Sequence, residues 1–382
     1  MTPPDNVDPA APRRFRDLVP LPGFAGPLAL LGVGLVLGVL AVPGPGPSAL
    51  TWVSWGVAYG LYALAAALTR RGQGGWVVAL LVVATLALVP LAFGPSPLSN
   101  RKITAFNAWA YDLGAHLPAL IAPPPHPNSL AAGLAAGLGL LGAAWLMGPR
   151  RYRAWVGTAV VVLGGVLLLT VSRAGWLAAG GAALVLVGQY ARRLVPMLLG
   201  ALVLGAAALV LVSGPPLIGQ PAVDSTESLG QRTAIWEQTL DLLRVQPWTG
   251  LGLARFPARY AALAGGSGQE LYNTPHNTAL ELWADAGLCG LLALAWAPWR
   301  TYQLARRPAA PGSAWLQTGA TAALVALAIH GVFETNVAVV WALPGGSSGY
   351  LAAPLPFVVL GLLAGAVPPG RSSRARKVRP KR

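Results

Sequence analysis

Long apolar runs, separated by short clusters of charge, proline and glycine, set the pattern of this chain. A hydrocarbon core roughly 30 Å thick takes about 20 apolar residues per crossing helix. Ten runs of that size are present, at 23–42, 49–68, 76–94, 129–147, 154–171, 174–190, 194–213, 286–303, 314–332 and 351–367. The pattern predicts an all-α fold, a polytopic membrane bundle of about ten transmembrane helices. The first run follows the basic "RRFR" and is too long for the apolar region of a signal peptide, so it reads as a retained span. Residues 1–22 are then a cytoplasmic N-terminal tail, 23–367 the transmembrane domain and 368–382 a basic cytoplasmic tail.

Two connections are long enough to form structure outside the membrane, 95–128 and 214–285. The second is expected to be one large, partly helical outer loop. Within it, "GQRTAIWEQTLDLLR" places Trp236, Leu240 and Leu243 at i, i+4 and i+7, with Ile235 and Leu242 alongside, which predicts an amphipathic helix. Pro247, Gly250 and Gly252 in "QPWTGLGLARF" predict turns after it. A second helix is expected to start near "HNTALE", where Thr278 and Glu281 have capping-box spacing, and to run into the eighth apolar run.

Composition sharpens this picture. Hydrophobic residues are 55% of the 382, charged residues 10%, and mean hydropathy is +0.58, which together exclude an ordinary soluble domain. The net charge of +15 raises the question of nucleic acid, but its distribution answers it. Most Lys and Arg fall in alternate connections and in the two tails, as the positive-inside rule requires, so both termini are expected in the cytoplasm. The tail "RSSRARKVRPKR" reads as an anchor to anionic lipid, and no nucleic-acid partner is expected. Cys289 is the single cysteine, which removes disulfides and cysteine metal sites. His116, His126 and His330 have no metal-ligand spacing, there is no phosphate-binding G-x-x-x-x-G-K-[ST] loop, and no cofactor is implied. "GGSSG" at 345–349 matches a serine-hydrolase pattern formally but reads as a flexible turn. A transporter of lipid-linked substrates is the competing class; the lack of an internal repeat counts against it.

Three residues are placed for chemistry. Arg173 in "LLLTVSRAGW" interrupts an apolar stretch between the fifth and sixth runs. Arg232 opens the amphipathic helix, and His276 sits where the loop becomes a helix. Singly, these are a snorkelling arginine, a solvated charge and a helix-cap histidine. Jointly, two guanidiniums can clamp a diphosphate and a neutral imidazole can take a proton from an attacking hydroxyl.

An ordered series of motifs carries a resemblance over roughly residues 120–340. It comprises "HPNSLAAGLA" from His126, "LLLTVSRAGWLA" around Arg173, "GQRTAIWEQTLDLLRVQPWTGLGLARF" from Gly230, "PHNTALELWADAGLCGLL" from Pro275 and "AIHGVFET" from Ala328. In these motifs the chain resembles the O-antigen ligase superfamily, bacterial membrane glycosyltransferases that include O-antigen ligases, O-antigen polymerases and protein O-oligosaccharyltransferases. The resemblance implies that 23–367 is a glycosyltransferase domain of the bacterial cytoplasmic membrane. Its substrate would be an undecaprenyl-diphosphate-linked glycan, passed without metal or cofactor to a hydroxyl of a glycan, lipid or protein acceptor on the outer face. It further implies that Arg173 and Arg232 hold the donor diphosphate and that His276 activates the acceptor. Arg255 and Arg259 are auxiliary cations for the donor role. His330 and Glu334, four apart, read as a structural pair or as part of the acceptor site. Family members often have about twelve spans, so the departure is concentrated in the N-terminal third.

Overall fold

The structure is a computed structural model that describes residues 23–43, 47–89, 127–170, 172–190, 192–194, 196, 200, 224–264, 273–342 and 348–368. Its helices in chain order are α1 (Ala25–Ala41), α2 (Ala49–Arg70), α3 (Gly74–Ala87), α4 (Pro127–Met147), α5 (Arg153–Leu169) and α6 (Arg173–Tyr190). They continue with α7 (Asp224–Val245), α8 (Phe256–Ala264), α9 (Thr278–Ala305), α10 (Ala314–Gly331) and α11 (Pro354–Ala366). Between α10 and α11 an antiparallel hairpin pairs β1 (Ala338–Ala342) with β2 (Ser348–Ala352), Val340 opposite Tyr350. The protein is therefore helical, as expected, with this one hairpin among the described residues. Ser348 and Gly349 of the expected "GGSSG" turn already belong to β2, and the other three residues lie outside the described part.

Nine of the ten apolar runs fall on helices; the seventh, 194–213, lies almost wholly outside the described residues. Four helical stretches are long and apolar enough to cross a membrane: Ala49–Arg70, Asn128–Met147, Arg150–Leu169 and Thr278–Ala305. α1, α3 and α11 are apolar but shorter. Large apolar side chains such as Leu40, Leu80, Trp155 and Val161 point outwards, a surface that water would not tolerate and lipid would.

Small residues let the helices approach closely, as membrane bundles require when lipid is as apolar as the side chains. Ala135, Ala178, Ala182, Ala322 and Ala326 form one buried alanine seam joining α4, α6 and α10. A Cβ on Gly361 would lie 2.4 Å from the Tyr62 carbonyl, so α11 and α2 touch backbone to side-chain-free backbone. α1 runs antiparallel to α9: Gly38 meets Asp285, Gly34 meets Ala286, and Gly26 meets Trp296.

These contacts define two ends of the bundle. At one, the starts of α4, α6 and α9 meet the end of α10, with α7 and α8 beside them. At the other, Arg300 reaches Gly23 and Gln317 reaches Leu304 and Arg307. Arg70, Arg71, Arg150, Arg151 and Arg153 lie at helix ends on that second side.

α7 was legible as an amphipathic helix and begins six residues earlier than the motif. Its buried positions are Ile235, Thr239 and Leu243, and Ile235 and Leu243 join Leu251, Phe256, Tyr260 and Ala284 in a second, smaller core. The expected helix at "HNTALE" is the first part of α9, which enters the eighth apolar run across a break at Gly287. Its cap is one residue earlier than the spacing suggested: Asn277 Oδ1 accepts from the amides of Ala279 at 2.9 Å and Leu280 at 3.1 Å. Thr278 Oγ1 is taken instead, donating to the Glu334 carbonyl at 3.1 Å and accepting from the Asn336 amide at 3.1 Å.

Candidate functional site

The turn that presents Arg173 is tied by its own side chains. Thr170 Oγ1 accepts from the Ser172 amide at 3.2 Å, and Ser172 Oγ caps α6 by accepting from the Gly175 amide at 3.2 Å. Trp176 Nε1 donates to the Leu167 carbonyl at 3.2 Å, and Gly175 lets α6 press on α4, since a Cβ there would sit 2.6 Å from that of Ala131. Arg173 is thereby the first residue of α6, half-buried at the end of the bundle. Burial first, and the charge of Arg232 second, push its guanidinium pKa below the ordinary arginine value. The two arginines are thus close enough to repel.

Glu334 connects the other two residues. Its Oε2 lies 3.5 Å from an Arg232 guanidinium nitrogen and accepts from Asn128 Nδ2 at 3.4 Å. Its Oε1 lies 2.6 Å from His276 Nδ1 and 3.4 Å from the Thr335 amide. The Glu334 side chain is only 7% exposed, against 17% for Arg232 and 31% for His276, so the imidazole is the accessible member of the chain.

The backbone holds His276 from both sides. Trp236 Nε1, one turn beyond Arg232 on α7, donates to the Pro275 carbonyl at 3.0 Å. Asn277 caps α9 and its Nδ2 donates to the Val332 carbonyl at 2.9 Å. Between them His276 adopts φ 48°, the left-handed region that a non-glycine residue enters at a cost and usually where function is built.

The remaining sequence candidates go elsewhere. Arg255 donates to the Val42 carbonyl and Arg259 to the Pro43 carbonyl at 3.5 Å, both at the end of α1. His330 is fully buried, its Nδ1 2.9 Å from Asn336 Oδ1. α10 ends at Gly331, so Glu334 lies beyond the helical face of His330, yet the two remain neighbours: Asn128 bonds to Glu334 through its side chain and to His330 through its backbone. Asn128, Trp236 and Asn336 carry no sequence signal for chemistry: Asn128 falls within "HPNSLAAGLA" and Trp236 within an apolar stripe.

Residues 158–295 match the profile of the family described as O-Antigen ligase. This segment is similar to an O-antigen ligase family domain. No curated protein matches the chain. The O-antigen ligase segment contains Arg173, Arg232, Arg255, Arg259 and His276, whereas Asn128, His330 and Glu334 lie outside it. The fold therefore completes the polar cluster of the family domain with residues from both flanking parts of the chain, α4 and the turn after α10. The family associates the protein with glycosyl-transferring ligases and polymerases of surface polysaccharide, and its apolar helices with a membrane.

Proposed function

We propose that the protein transfers a glycan from an undecaprenyl-diphosphate carrier to an acceptor hydroxyl, as an O-antigen ligase does. The supporting observation is the shared carboxylate of Glu334, which joins His276 and Arg232 with Arg173 close to Arg232, at one end of an apolar bundle. Glu334 accepts a hydrogen bond from Nδ1–H of His276, which keeps the proton on Nδ1 and leaves Nε2 with the lone pair that takes the acceptor's hydroxyl proton. The freed oxygen forms the new bond to the anomeric carbon as the bond from that carbon to the diphosphate oxygen breaks. Electrons of the broken bond leave with the diphosphate, whose charge Arg173 and Arg232 hold. The proton ends on His276, and no redox partner is needed. Ligase, polymerase and protein-glycosylating readings share this chemistry and differ only in the acceptor.

A transporter or flippase of the same lipids is the second reading. α9 contains a non-helical residue, Gly287 at φ 59°, and broken helices are common at transport sites. The break is filled by protein, however: Leu251 and Gly252 amides donate to the Ala284 carbonyl at 2.7 and 3.0 Å, and the Leu288 amide to the Trp248 carbonyl at 3.0 Å.

The test is purified protein with an undecaprenyl-diphosphate oligosaccharide, candidate glycan, lipid and protein acceptors, and EDTA throughout. The expected outcome is chelator-resistant transfer, reduced by about 10² to 10⁴ in His276→Ala and severely in Arg173→Ala and Arg232→Ala. Wild-type turnover in His276→Ala would remove the histidine from the mechanism. Movement of the donor across vesicles without acceptor would favour transport.

A further inference from the structure

At the end of the bundle away from His276, α1 and α9 line a cavity of about 350 Å³. Its walls include Gly26, Trp296, Trp299, Arg300 and Gln303. We infer that this groove binds the phosphate-bearing headgroup of an anionic membrane lipid, at a site separate from the cluster around Glu334.

Three observations converge on it. The first is a guanidinium set in the wall: Arg300 Nε donates to the Gly23 carbonyl at 3.0 Å and a terminal nitrogen donates to Gln303 Oε1, so the plane is held before any ligand arrives. Such a pre-oriented fork suits a phosphate better than a flexible ammonium does. The second is the pair of indoles. Trp296 lies against α1 where Gly26 has no side chain, since a Cβ there would be 2.5 Å from the ring. Trp299 stacks on Tyr302 with centroids 5.9 Å apart, and both tryptophans remain substantially exposed. Amphipathic rings of this kind sit at the headgroup level of a bilayer, with acyl chains on one side and polar groups on the other. The third is charge. Arg70 and Arg71 close α2, and Arg306 and Arg307 follow α9, on this same side, while the described carboxylates lie on α7, on the first third of α9 and at Glu334. A groove between membrane helices that holds one guanidinium, is rimmed by aromatics and sits at the arginine-rich end of the bundle fits an anionic headgroup better than a zwitterionic one.

The position fits a lipid rather than a soluble anion. α9 is apolar enough to cross a membrane, and Arg300 lies near its far end, so the groove opens level with the membrane surface. Nothing in it depends on the transfer reaction, and its failure would leave the proposed transferase untouched.

The test uses the full chain in a non-ionic detergent. Phosphatidylglycerol is titrated and bound lipid counted by native mass spectrometry, with phosphatidylcholine as the zwitterionic control and inorganic phosphate as the acyl-chain-free one. The expected result is one tightly held phosphatidylglycerol per chain, weakened about tenfold in Arg300→Gln, the equivalent of one lost charge-assisted hydrogen bond. Trp299→Ala, an exposed position whose loss does not open the core, should weaken it as well, and glycan transfer should persist in both variants. If Arg300→Gln fails to fold, Trp299→Ala decides. Equal retention of phosphatidylcholine, wild-type phosphatidylglycerol binding in the folded variants, or displacement by inorganic phosphate would each overturn the lipid site.

Discussion

Glu334 makes one carboxylate serve two side chains, and that arrangement sets what each substitution should do. Glu334→Gln keeps the volume but replaces the anionic acceptor of His276 Nδ1 with an amide that can be turned either way. With the tautomer no longer fixed, kcat for glycan transfer is expected to fall by roughly 10²-fold, and steady-state transfer assays check it. An unchanged kcat would mean that the 2.6 Å contact does not orient the imidazole. The backbone at His276 gives an independent prediction. Asn tolerates φ near 48° whereas a β-branched residue does not, so His276→Asn should keep the thermal midpoint while abolishing transfer. His276→Val should be destabilised by about 1–2 kcal/mol. His276 was legible in the sequence because a polar loop meets an apolar run there. The partnership with Glu334 was not: it joins positions 58 apart, and four-residue spacing to His330 suggested a helical pair that the end of α10 prevents.

Elements were legible wherever a long periodic pattern dominated, as in α7 and the apolar helices, and less so where backbone geometry decides. α9 reads as one continuous run, yet Gly287 breaks it because the 246–252 turn inserts its own amides and carbonyls. A Cβ on Gly287 would lie 2.1 Å from the Trp248 carbonyl, at a φ that alanine also resists, so Gly287→Ala has no room and no conformation. Its expected cost exceeds about 3 kcal/mol, in the range of overpacking combined with backbone strain. Gly60→Ala on α2, where nothing lies within 4 Å, should instead be neutral or stabilise by about 0.5–1 kcal/mol. Detergent-solubilised thermal melts of the pair check both. The off-by-one cap at α9 has the same origin. Thr278 and Glu281 have capping-box spacing, but Asn277 is at least as good a cap, and Thr278 is needed by the turn that carries Glu334.

At the scale of the whole molecule, the alternation of charge carried more information than any single motif. It divides Lys and Arg between alternate connections, and the antiparallel packing of α1 on α9 holds two ends apart: Asp285 beside Gly38 at one, Arg300 beside Gly23 at the other. The resident side of each end follows from a physical bias, since arginines are retained where the membrane potential and anionic lipid favour them. The arginine-rich end should therefore face the cytoplasm and the Glu334 cluster the outside, where a lipid-linked glycan is displayed to its acceptors. Cys289 offers a clean route to test this, because it is the only cysteine and a Cys289→Ser background carries no thiol. Glu237→Cys on exposed α7 should react with a membrane-impermeant maleimide in intact spheroplasts, whereas Arg151→Cys should react only after permeabilisation. The reverse pattern would place His276 on the cytoplasmic side. The fold would stand, but a donor carrying its glycan on the outer face could no longer reach the histidine, and the transfer reading would fall with the topology.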